Sequence, residues 1–81
     1  MSKINLEQIS NIIAKNIGVK ASEVNINSNS NDFYRWDSLT QVTIVLDIEK
    51  VIKKKISASK IGELDSVKQI VDYLKTNKTF S

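Results

Sequence analysis

A carboxylate and a hydroxyl stand side by side in Trp36-Asp37-Ser38-Leu39, where a polar stretch gives way to a long regular one. A serine at the start of a helix exposes its hydroxyl rather than burying it. The unpaired backbone N–H groups and the positive dipole end of such a helix favour a phosphate diester on that oxygen. Asp37 is placed to help hold a divalent cation that escorts an incoming phosphate, since Mg²⁺ takes carboxylate and phosphate oxygens. The same residues also fit plain helix capping, with Ser38-x-x-Gln41 as a capping box. The pattern recurs in Leu64-Asp65-Ser66-Val67, followed by Gln69, ahead of another apolar stretch. Local sequence does not separate the two serines.

Little else in the chain offers chemistry. It has no histidine and no cysteine, which excludes imidazole acid–base catalysis, thiolate metal sites, disulfides and cysteine nucleophiles. A hydrolase would lack its Ser-His pair. No catalytic residue and no metal site is expected. The net charge of +3 is mild, and no recognition-helix pattern accompanies Arg35 and the Lys50 to Lys55 cluster, so nucleic acid is not an expected partner. No apolar run approaches the roughly 18 residues that span a bilayer. Met1 to Asn5 lacks the features of a signal peptide. The expectation is a cytoplasmic protein without membrane insertion.

The elements that must position these residues follow from periodicity. Eighty-one residues with 41% hydrophobic content suffice for one core, and twelve isoleucines make it aliphatic. Apolar residues at 6, 9, 12, 13 and 17 predict helix I over about 4–17, with Gly18 as its stop. Residues 18–37, rich in Asn and Ser, predict a long loop pinned to the core by Val24, Ile26, Phe33 and Tyr34. Helix II is predicted over about 38–54. At 100° per residue, Ile44, Val45, Ile48, Val51 and Ile52 share one arc, while Leu39, Val42 and Leu46 form a separate stripe. That second stripe is either a further core contact or a surface for a partner. A short helix is expected near 58–62 and a last one over 66–75, then a frayed tail at 76–81. The fold class is all-α: a small four-helix bundle in one domain, three main helices plus a short one, with a long first loop.

The order and spacing of these features resemble the acyl carrier protein family, which includes peptidyl carrier proteins. Trp36-Asp37-Ser38-Leu39-Thr40 resembles the family's Asp-Ser-Leu motif at the start of its second helix. Leu46-Asp47-Ile48-Glu49-Lys50 resembles its acidic-aliphatic run, and Ile61-Gly62-Glu63-Leu64-Asp65-Ser66-Val67 its approach to the final helix. The resemblance implies that Ser38 carries 4′-phosphopantetheine taken from coenzyme A, and that Asp37 assists the phosphopantetheinyl transferase and its Mg²⁺. It also implies that Leu39, Val42 and Leu46, with Glu49, Lys50 and Lys53, meet acyl- or aminoacyl-loading and transfer enzymes. It favours Ser38 over Ser66, which has too little chain after it for two more helices.

This chain departs from the family in two places: bulky Tyr34-Arg35-Trp36 where a glycine is common, and a lysine-rich end of helix II. The altered charge points to a dedicated pathway with its own partners. The expected function is a stand-alone, monomeric carrier of a thioester-linked acyl intermediate, not an enzyme. The alternatives are an aminoacyl or peptidyl carrier, and a helical interaction module without a prosthetic group.

Overall fold

Four α-helices carry the described residues: α1 (Leu6–Ile17), α2 (Ser38–Ile52), α3 (Ala58–Ile61) and α4 (Val67–Thr76). The computed structural model describes residues 2–81. α1 begins after Ile4, because Asn5 caps it. The Asn5 side chain accepts the Gln8 N–H at 2.8 Å, and Gln8 accepts the Asn5 N–H at 2.9 Å. Gly18, in the left-handed conformation with φ 74°, closes the helix by donating its N–H to the Ala14 carbonyl.

The core is aliphatic. Ile9, Ile13 and Ile17 of α1 are buried with Ile44, Val45, Ile48 and Ile52 of α2 and with Val67, Ile70, Val71 and Leu74 of α4. α1 packs on both α2 and α4, and α3 leans on α2. The arc expected to face the core of α2 is the one that does, with Val51 half-buried at its margin.

The long connection from α1 to α2 is irregular but ordered by local bonds. It holds 3₁₀ turns at Ala21–Glu23 and Ser30–Asp32. The Asn25 and Asn29 side chains accept the N–H groups of Asn27 and Asn31, each at 2.8 Å. Its middle is stapled to the approach of α4, where Ser30 donates to the Asp65 carbonyl at 2.8 Å and Val67 to the Ser28 carbonyl at 2.9 Å. Of the four residues expected to pin this loop, Val24 is buried and Phe33 packs against the core. Ile26 and Tyr34 are exposed, Tyr34 fully so. Trp36 takes the anchoring role instead, being bulkier and having a partner for its N–H inside.

The expectation of a frayed tail also needs correction. Thr79 is completely buried, and its carbonyl accepts the Ile4 N–H at 2.8 Å while Ser81 donates to the Ile4 carbonyl at 2.9 Å. This short parallel pairing holds the segment before α1 and the one after α4 together, and Phe80 packs on the core. Periodicity could not reveal it, because two backbone bonds between chain ends leave no helical or strand repeat.

Candidate functional site

Ser38 is the first residue of α2, and Asp37 is its cap. The Asp37 carboxylate accepts the Thr40 backbone N–H at 2.9 Å. Ser38 is exposed, and no hydrogen bond engages its Oγ among the described residues. The capping box expected for Ser38-x-x-Gln41 does not form. Gln41 points inward, accepting the Trp36 indole N–H and donating to the carbonyls of Ile61 and Leu64. The Thr40 backbone N–H, followed by its hydroxyl, holds the Asp37 carboxyl below the usual carboxylate range. Asp37 is therefore ionised beside a free hydroxyl at a helix N-terminus.

Ser66 behaves differently although its neighbourhood reads alike. It caps α4 with its own side chain, whose Oγ accepts the Gln69 N–H at 3.1 Å. Its backbone is held extended (φ −145°, ψ 156°), opposite Asn29. Half of the capping box expected from sequence forms here, the serine Oγ accepting the Gln69 N–H, and neither half forms at Ser38.

From Ser38 a stripe runs down the solvent side of α2. Leu39 is 80% exposed, Val42 41% and Leu46 46%, an apolar face left open to solvent among the described residues. Lys50 and Lys53 continue it at helical spacing, with Lys54 and Lys55 beyond. Leu46 and these four lysines, with Glu49, border one surface depression. Among the described residues Lys50 alone of the four meets a carboxylate, Asp47, at 3.8 Å, and most of its side chain stays in solvent. Lys53 ends the helix with φ 55°, a conformation unfavourable for a side-chain-bearing residue. Glu49 stands apart from the other stripe residues. It is half-buried, and its carboxylate accepts the Ile56 N–H at 2.6 Å, tying the end of α2 to the connection that follows.

The sequence offers Gln41 as a capping partner and Trp36 as part of the motif, and the buried bond between them was not foreseen. Its one signal was polarity out of place: Gln41 lies one turn before Val45 on the core-facing side of α2.

Residues 7–74 match the family described as "Phosphopantetheine attachment site". The acyl carrier protein of Chlamydia caviae is 31% identical over 72 residues, covering 89% of this chain and 94% of the relative. The acyl carrier protein of Rickettsia bellii is 32% identical over 81 residues, covering 98% of this chain and 94% of that protein. The chain belongs to the acyl carrier protein family. As an acyl carrier protein it bears a covalent 4′-phosphopantetheine and presents acyl groups to enzymes without being one itself. Membership of the family implies interaction with a phosphopantetheinyl transferase and with acyl-handling enzymes. The all-helical architecture is that of a carrier, and among the described residues no helix is long and apolar enough to cross a membrane.

Proposed function

We propose that Ser38 is the attachment residue, that Asp37 steers its modification, and that Leu39, Val42, Leu46, Lys50 and Lys53 form the face on which partner enzymes dock. The observation that carries this reading is the free hydroxyl of Ser38 at the N-terminus of α2, next to an ionised Asp37. In the modification, Ser38 Oγ bonds to the pantetheine-side phosphorus of coenzyme A. The bond from that phosphorus to the bridging oxygen breaks, adenosine 3′,5′-bisphosphate leaves, and the hydroxyl proton passes to a base of the transferase. This chain has no histidine to supply that base, and needs none. Asp37 would offer a carboxylate oxygen to a Mg²⁺ ion, which would supply positive charge for the incoming phosphate. When attached, the arm's thiol holds the cargo as a thioester.

The docking face has two characters. Near Ser38 it is apolar, and roughly 17 Å further along, eleven residues at helical rise from Leu39 to Lys50, it is basic. A partner that fits it presents an apolar socket beside its active site and carboxylates beyond. Such partners differ from enzymes that would meet an acidic helix. We therefore assign the chain to a specialised acyl pathway, of fatty acid, polyketide or related type, in which it acts as a monomer.

The test is intact mass after incubation with coenzyme A and a broad-specificity transferase. The expected gain is one phosphopantetheine, lost in Ser38→Ala. A gain that survives that substitution would place the arm elsewhere.

A further inference from the structure

Beside Ser38, a cavity of about 470 Å³ opens between the first turns of α2 and α3. Val42, Ala58 and Ile61 give it apolar walls, and Trp36 and Gln41 are the buried members of its lining. Both ends of the Gln41 amide are engaged. Its Oε1 accepts the Trp36 indole N–H at 2.5 Å, and its Nε2 donates to the Ile61 carbonyl at 2.8 Å and to the Leu64 carbonyl. The orientation is fixed, because an indole N–H only donates and a carbonyl only accepts. One turn further along the same face, Val45 is fully buried and takes no part in the cavity lining. The Gln41 bridge thus stands between the cavity and the aliphatic core. An alkyl chain pushing past it would strip partners from an indole N–H and two carbonyls, and hydrocarbon offers no replacement.

Resting on Ser38 as the attachment residue, we propose that Gln41, oriented by Trp36, is a specificity-determining residue that stops the acyl chain at this cavity. Short acyl groups lie against Val42, Ala58 and Ile61. Longer ones project into solvent, or into the partner enzyme, rather than entering the helical core.

The test loads the full chain with butyryl, octanoyl or dodecanoyl phosphopantetheine, using the matching acyl-coenzyme A and a broad-specificity transferase, with loading verified by intact mass. Thermal midpoints and backbone amide NMR shifts are then followed along the series. The midpoint is expected not to rise from butyryl to dodecanoyl. The amides of Val42 and Ile61 are expected to move while those of Val45 and Ile48 stay in place. In Gln41→Leu, or in the milder Trp36→Phe, the midpoint is expected to climb with chain length relative to the same variant bearing the bare arm. A wild-type midpoint that climbs steadily, with shifts reaching Val45 and Ile48, overturns the proposal and leaves Ser38 as the attachment residue. Absence of any mass gain overturns the attachment reading as well, so the two failures are distinct. Should Gln41→Leu fail to fold, the wild-type series alone decides.

Discussion

The carboxylate of Asp37 accepts the backbone N–H of Thr40 at 2.9 Å, and this bond releases the neighbouring Ser38 hydroxyl from any capping duty. At the other Asp-Ser pair the register differs by one residue. There Ser66 itself is the cap, bonded to the Gln69 N–H, while Asp65 lies outside the helix. The cause is tertiary. Ser30 and Ser28 take the Asp65 carbonyl and the Val67 N–H, which holds Ser66 extended just before α4.

The two serines should therefore separate cleanly on substitution. Ser66→Ala is expected to accept the phosphopantetheine arm like the wild type while losing about 1 kcal/mol of stability, the usual cost of a missing cap. Ser38→Ala should change stability by no more than about 0.5 kcal/mol, as for an exposed residue without partners, and accept no arm. Urea titration and intact mass measure both halves. A stable but unmodifiable Ser66→Ala would contradict the assignment.

Acid should weaken the α2 cap in a definite window. The folded-state pKa of Asp37 is lowered, first by the Thr40 backbone N–H, so the ionised carboxylate stabilises the fold above the unfolded pKa of about 3.9. That contribution is lost as pH falls through the lowered folded value. Asp37→Asn keeps a capping oxygen without the charge. The gap in thermal midpoint between wild type and Asp37→Asn should be constant near neutrality and shrink on acidification below roughly pH 4. A gap that widens in acid would refute the cap's charge dependence.

Leu39 is 80% exposed, so its removal should reach partners and not the fold. Leu39→Ala is expected to leave the unfolding midpoint nearly unchanged and to lower kcat/KM of the cognate loading enzyme by roughly tenfold, about 1.4 kcal/mol of docking. Equal kinetics for the two proteins would remove Leu39 from the docking face.

Lys53 pits local comfort against binding. With φ 55° it occupies a position that glycine tolerates better, so Lys53→Gly should stabilise the chain by about 0.5–1 kcal/mol. Its loading rate should nonetheless fall, and fall further in the Lys50→Glu, Lys53→Glu double variant. The wild-type rate should decline with added salt as the charges are screened. Loading rates untouched by these exchanges would dispose of an acidic partner surface.

Much of this protein was legible from spacing alone. The arc of Ile44, Val45, Ile48 and Ile52 and the separate stripe of Leu39, Val42 and Leu46 are consequences of helical periodicity, and the structure buries the first and exposes the second. Gly18 as the stop of α1 was equally readable, since only a left-handed residue closes the helix there. These are local properties, encoded within a few turns of chain. What only the tertiary structure decided depends on groups far apart in sequence. Gln41 left the capping box because the carbonyls of Ile61 and Leu64 and the indole of Trp36 give its amide three partners, two of them fully inside. Tyr34 stayed in solvent while Trp36 went inside. The residues after α4 docked on Ile4 because its N–H and carbonyl were free to pair. A buried polar group must find its partner wherever the fold brings one, and periodicity holds no record of that choice.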